Sequence, residues 1–136
     1  MSSEDQREAI VCVDDEPLVL AALRRTLRSR LGRHYSIELA RNGAEALELI
    51  EELSREHTAT RMVVSDAMMP VMDGYELVRR LHQERPEVLK VIVTGYADHS
   101  ELARLTEEAG LLASFDKPWS NDELCDFIER SLGTSA

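Results

Sequence analysis

Met62-Val63-Val64-Ser65-Asp66-Ala67-Met68-Met69-Pro70 is the stretch in which this chain concentrates its chemistry. An apolar, β-branched run too short for a helix ends in a single carboxylate, and the proline that follows cannot continue it. A run of this kind is a strand buried on both faces, as in parallel sheets, so Asp66 stands at a strand's carboxyl end. In open α/β sheets that rim is where ligands bind. What Asp66 can do depends on what the other strands deliver to the same rim.

Upstream, Ala9-Ile10-Val11-Cys12-Val13 reads as a second buried strand, and it ends in Asp14-Asp15-Glu16-Pro17. Pro17 suits the first turn of a helix whose Leu20, Leu23, Leu27 and Leu31 share one face before Gly32 stops it. Arg24, Arg25, Arg28, Arg30 and Arg33 crowd its outer and C-terminal part, as a solvated face or as a docking surface. Tyr35 to Ala40 alternates like a strand, Asn42-Gly43 turns, and Ala46, Leu47, Ile50 and Leu53 form a helical stripe.

Downstream, Asp73-Gly74 opens a helix with Leu77, Val78 and Leu81 inward, closed by Arg85-Pro86. Val88 to Thr94 reads as the fourth strand, and a helix follows Asp98 with Leu102, Leu105 and Ala109 inward and Gly110 as its stop. Leu111 to Asp116 reads as strand five. Lys117-Pro118 breaks it, Ser120 caps the last helix, and Leu124, Phe127, Ile128 and Leu132 form its stripe. Five strands alternating with five helices call for right-handed crossovers and a parallel sheet covered on both faces, a doubly wound α/β domain.

Composition narrows the possibilities. The chain has 136 residues, enough for one domain that buries roughly two thirds of its unfolded surface. The expectation is a single domain over 1–136, with a core at about 9–132 and frayed ends, residues 1 to 7 among them. The formal charge of −10 opposes direct binding to nucleic acid. No leader and no long apolar run is present, which predicts a cytoplasmic protein without membrane insertion. Cys12 and Cys125 lack metal-ligand spacing and read as buried thiols.

In the flavodoxin-like strand order 2-1-3-4-5, strands one and three are neighbours, which puts Asp14 and Asp15 beside Asp66. Three carboxylates in one pocket need a positive charge. An all-oxygen set open to water favours Mg²⁺ over a caged Ca²⁺. Strand four brings the Thr94 hydroxyl to the rim and strand five the Lys117 ammonium. Acids at strand ends and a structural ion pair would account for any one of these residues alone. Their joint placement points to a site.

Asp14-Asp15, Asp66 followed by Met69-Pro70 and Asp73-Gly74, Thr94-Gly95 and Lys117-Pro118 together resemble the receiver domain of two-component response regulators, over residues 9 to 132. The resemblance implies that Asp66 is the phosphoacceptor and that Asp14, Asp15, Asp66 and the Met68 main-chain carbonyl hold Mg²⁺. It implies that Thr94 and Lys117 hold phosphoryl oxygens. The implied partners are a histidine kinase or histidine phosphotransfer protein as donor, and a downstream protein or output domain on the face of helix four, strand five and helix five. The chain would carry a signal rather than act as an enzyme, beyond Mg²⁺-dependent self-phosphorylation and autodephosphorylation. Receivers often carry an aromatic residue three positions before the lysine, where this chain has Ser114, with Phe115 beside it. Tyr96 is then a candidate either for part of the aromatic's switching work or for a gate on water access to the site.

Three rivals are weaker. A Mg²⁺-dependent phosphohydrolase of the haloacid-dehalogenase type needs an acid two residues after the nucleophile, where Met68 stands. A dinucleotide-binding domain needs glycines where this chain has Asp14-Asp15-Glu16-Pro17. An unphosphorylated scaffold leaves the filled acceptor site without a purpose. The absence of a DNA-binding or catalytic module after Ala136 fits a stand-alone regulator or an excised domain equally.

Overall fold

The computed structural model describes residues 7–133. Strands β1 (Arg7–Val13), β2 (Ser36–Ala40), β3 (Thr58–Ser65), β4 (Leu89–Thr94) and β5 (Ala113–Asp116) alternate with helices α1 (Pro17–Leu31), α2 (Gly43–Arg55), α3 (Gly74–Glu84), α4 (His99–Glu108) and α5 (Asn121–Leu132). All strand pairs are parallel, in the order β2-β1-β3-β4-β5. The expected doubly wound sheet is the fold observed.

Period-2 alternation along the strands divides the core between two faces. Ile10, Cys12, Met62, Val64, Val91 and Val93 face α1 and α5, meeting Leu20, Leu23, Leu27 and Leu31 from one and Leu124, Ile128 and Leu132 from the other. Ala9, Val11, Val13 and Val63 face α2 and α3. Ile92 faces α3 and α4. Each fully buried leucine here contributes about 1.5–3 kcal/mol, so these stripes fix which face of each helix turns inward. Arg30 does not belong to a solvated face: its guanidinium ties α1 to α5 through Asp126 and Glu129, each at 2.6 Å. Both cysteines are free and buried, and burial alone pushes the Cys12 thiol up to about 12.

Four helices start on a side-chain cap. Asn42, Asp73, Asp98 and Ser120 each accept a hydrogen bond from the main-chain N–H three residues on, at Glu45, Glu76, Glu101 and Glu123. A glutamate at every third position adds a favourable charge at the positive end of the helix.

The boundaries depart from expectation in five places. Arg7, expected among the frayed residues, opens β1 by donating its N–H to the His57 carbonyl, while residues 1–6 lie outside the described residues. Tyr35 lies outside β2, in the turn that follows α1, its N–H donating back to the Leu31 carbonyl. β3 starts at Thr58, four residues before the apolar run, because Thr58 and Thr60 are β-branched and turn inward despite their hydroxyls. Val88 precedes β4, its N–H held by the Arg85 carbonyl. Leu111 and Leu112 precede β5: Gly110 turns the chain at φ 66°, and Leu111 donates back to Leu105.

Candidate functional site

Strand register assembles the rim. Val13 pairs with Ser65, so the next residues of the two strands, Asp14 and Asp66, emerge side by side, and the Asp66 N–H donates to the Val13 carbonyl at 2.8 Å. Thr94 pairs with Asp116, and the Lys117 N–H donates to the Thr94 carbonyl at 3.0 Å. Sequence reasoning placed all four groups at carboxyl ends, and the sheet order brings them together.

Asp14 is 2% exposed and Asp66 8%, whereas Asp15 stands in solvent. One carboxylate oxygen from each of the three lies within 4.8 Å of the others. Asp14 is held by two donors, the Glu16 N–H on Oδ1 at 2.9 Å and the Lys117 ammonium on Oδ2 at 2.6 Å. The same ammonium lies 3.4 Å from Asp66 Oδ2, and Asp66 Oδ1 accepts the Ala67 N–H at 2.7 Å. Burial alone would lower the lysine's pKa, but the hydrogen bond to Asp14 and the charges of Asp66 and Asp14 outweigh it, so Lys117 is raised and stays charged at neutral pH. The positive charge that three carboxylates require is therefore partly supplied by the chain itself.

The donor set also suits a hard divalent ion. Its oxygens are carboxylate, two of the three groups are buried, and no His or Cys takes part. Opposite ligands of an octahedral Mg²⁺ stand about 4.2 Å apart, close enough to the observed spread for side-chain adjustment to close the gap.

The loop after Asp66 is shaped to press on it. Gly74, the first residue of α3, donates its N–H to the Ala67 carbonyl at 2.8 Å, and a Cβ there would stand 2.0 Å from the Asp66 carbonyl oxygen. Only glycine permits that approach. Between them Val71 is held at φ 70°, with the Met72 N–H donating to the Pro70 carbonyl.

This arrangement has relatives. Residues 10–129 match the model of the response regulator receiver domain. The chain belongs to the receiver domain family of response regulators. The sensor kinase CckA of Brucella abortus is 35% identical to this receiver over 123 residues, which are 90% of this chain and 12% of that protein. The response regulator MprA of a Mycobacterium species is 36% identical over 119 residues, 85% of this chain and 46% of that one. The receiver thus spans under half the length of these curated relatives. The crystal structure of the signal receiver domain of an HD domain-containing protein from Pseudomonas fluorescens Pf-5 superposes with a TM-score of 0.81 at 28% identity, covering 94% of this chain and 95% of that one. The CheY-like receiver domain protein of Methanospirillum hungatei gives 0.79, also at 28% identity, over 94% of each chain. The family is one of signalling proteins that work with histidine kinases and output domains. Among the described residues no helix is long and apolar enough to cross a membrane.

Of the other residues singled out in the sequence, Met68, Tyr96 and Ser114 have exposed side chains. Met68 is 56% exposed just past Asp66. Tyr96 is 84% exposed, its ring in solvent, while its N–H donates to Thr94 Oγ1 at 3.3 Å. Ser114 is in register with Ile92 and shares its α4-facing side of the sheet, but stands exposed. Phe115 faces the other way, packing edge-on against Phe127 of α5 with ring centroids 5.4 Å apart. It is a core residue on the face opposite Thr94. The sequence reading missed the closeness of Gly74 to Asp66, although the Asp73-Gly74 pair carried the signal. It also missed Lys90, 3% exposed in β4, whose ammonium, among the described residues, reaches only the Val88 carbonyl, at 3.1 Å. An apolar strand pattern hides a lone lysine.

Proposed function

We propose that this receiver accepts a phosphoryl group on Asp66 from a histidine kinase or histidine phosphotransfer protein. The observation that carries the reading is the Lys117 ammonium bridging Asp14 and Asp66, at the rim where Thr94 and Asp15 also emerge. A carboxylate oxygen of Asp66 attacks the donor phosphorus, the bond from phosphorus to the donor imidazole nitrogen breaks, and the imidazole takes up a proton. Catalysis of this kind is mostly positioning and charge neutralisation. Lys117 turns from the carboxylates to a phosphoryl oxygen, and Thr94 donates its hydroxyl to another. Asp14, Asp15, Asp66 and the Met68 carbonyl would hold Mg²⁺, which when bound neutralises charge on the transferring group.

The product is an acyl phosphate whose water-dependent loss ends the signal, so the domain's turnover is confined to its own aspartate. The donor docks on α1. Arg24, Arg25 and Arg28 line a groove of about 680 Å³ with Pro17, Leu20, Leu39 and Arg41, and among the described residues these three arginines have no acidic partner in a chain with ten surplus acids. An acidic partner is steered there. The output surface is α4, β5 and α5, the unit is one domain over residues 1–136 with its core at about 9–132, and its place is the cytoplasm.

The test is intact mass after incubation with acetyl phosphate, with and without Mg²⁺. Gain of one phosphoryl group only with Mg²⁺, and none in Asp66→Asn, is the expected result. Labelling that persists in the variant overturns the reading.

A further inference from the structure

No aromatic or bulky side chain on β5 couples Thr94 to α4 in this molecule. Ser114, on the α4-facing side, is small and exposed, Phe115 faces α5, and the Tyr96 ring lies in solvent. A different element touches both the acceptor and α4, and that element is α3.

At its first residue, Gly74, α3 is packed on the Asp66 main chain and hydrogen-bonded to Ala67. The next residue, Tyr75, is buried among Ala67, Ile92, Leu102 and Leu105. Its hydroxyl makes no full hydrogen bond, although the Asp98 main chain lies close to it. One turn along, Arg79 forms an ion pair with Glu101. Asp98 is the N-cap of α4, and Glu101 is the residue whose N–H that cap accepts. Two rungs therefore join one face of α3 to the first turn of α4: Tyr75 against Asp98, and Arg79 against Glu101. Asp98 is also only four residues from Thr94, through Gly95, Tyr96 and Ala97.

We propose that α3 carries the signal from Asp66, with the Arg79–Glu101 pair latching the first turn of α4 in the unphosphorylated receiver, the buried Tyr75 hydroxyl opposing that seat, and phosphorylation releasing it. This rests on the acceptor role proposed for Asp66. A buried hydroxyl without a partner is unfavourable, so the latched seat of α4 is held by the ion pair while Tyr75 works against it. The two seats differ by about one ion pair and one hydrogen bond, a balance that new contacts of a phosphoryl group at Thr94 and at the loop under Gly74 can invert.

The latch makes predictions of opposite sign at one interface. Glu101→Gln removes the pair to Arg79, along with the 3.6 Å pair to Arg104 within α4, and favours the released seat. Tyr75→Phe removes the unpartnered hydroxyl and favours the latched one. Beryllofluoride with Mg²⁺ serves as the acyl-phosphate probe, read by amide resonances of α4 and by its binding affinity. By reciprocity, a variant that shifts the seat shifts probe affinity by the same factor. Without the probe, the α4 resonances of Glu101→Gln should move toward the wild type's probe-bound positions, and it should bind the probe about two- to fivefold more tightly. Tyr75→Phe should bind about two- to fivefold more weakly. Arg80→Gln, which breaks the Arg80–Glu84 pair within α3, should do neither. Shifts of the same sign in both variants, or unchanged affinity in both, overturn the latch. A wild type that does not respond to the probe overturns instead the acceptor role on which the latch rests.

Discussion

Gly74→Ala is the substitution that most sharply tests how the fold grips the acceptor. The added Cβ would stand 2.0 Å from the Asp66 carbonyl oxygen and 3.0 Å from both the Asp66 carbonyl carbon and the Ala67 Cα. A comfortable carbon–oxygen contact needs about 3.3 Å, so β3 and the start of α3 must part by roughly 1 Å, and no rotamer can relieve a clash among main-chain atoms. Overpacking of this kind costs about 1–3 kcal/mol, and a purely backbone clash belongs at the top of that range. With a urea slope of about 1.5 kcal/mol per molar, a loss of about 3 kcal/mol lowers the unfolding midpoint by about 2 M. The folded fraction should also transfer poorly, since displacing a reacting group by about 1 Å costs on the order of a hundredfold in rate. Gly95→Ala is the matched control: nothing lies within 4 Å of its Cβ position, and its midpoint should shift by less than about 0.5 kcal/mol equivalent. Urea unfolding followed by circular dichroism, with acetyl phosphate labelling of the refolded protein, measures both quantities. A Gly74→Ala protein within about 1 kcal/mol of wild type and labelled at the wild-type rate refutes the claim that this close approach positions Asp66.

Other substitutions separate the roles of the remaining groups. Asp15→Asn should leave stability within about 0.5 kcal/mol, because Asp15 is exposed, yet weaken Mg²⁺ binding at least about tenfold, as titration of fluorescence from the half-buried Trp119 would show. Lys90→Met should stabilise by about 1 kcal/mol, the cost of a buried ammonium without a carboxylate. Burial lowers the Lys90 pKa in the folded state, so the unfolded chain binds more protons up to the ordinary lysine value of 10.5; the wild type should gain stability as pH rises through that window, and the Met variant should lose this gain. Reversing charge at Arg24 and Arg28 should slow transfer from a cognate kinase on the order of tenfold in a salt-dependent way, and leave acetyl phosphate labelling unchanged.

Much of this was legible before any coordinates. The Val63-Val64-Ser65-Asp66 boundary, the acids after Val13 and the lysine after Asp116 are local signals, and parallel pairing carries them to one rim with no long-range information beyond strand order. Features made by packing between elements were not legible. Thr58 and Thr60 look polar in sequence yet turn inward, Arg30 finds its acids nearly a hundred residues away on α5, and Tyr75 meets α4 only because α3 and α4 lie side by side. Phe115 stands next to Ser114 in sequence, but adjacency in sequence does not bring it to the Thr94 side of the sheet. In a strand, consecutive side chains point to opposite faces, and Phe115 is on the far one.

The most direct measurement is to trap the phosphoryl group on its residue. The labelled protein is treated with borohydride, which reduces an acyl phosphate to an alcohol, then digested, and the altered position is read by fragment mass spectrometry. One reduced residue is expected, at position 66, dependent on Mg²⁺ during labelling and absent when Lys117 is replaced by Ala under conditions of brief exposure to donor. Reduction at Asp14 or Asp15, or a phosphoryl group that survives borohydride on a hydroxyl such as Thr94, would contradict it.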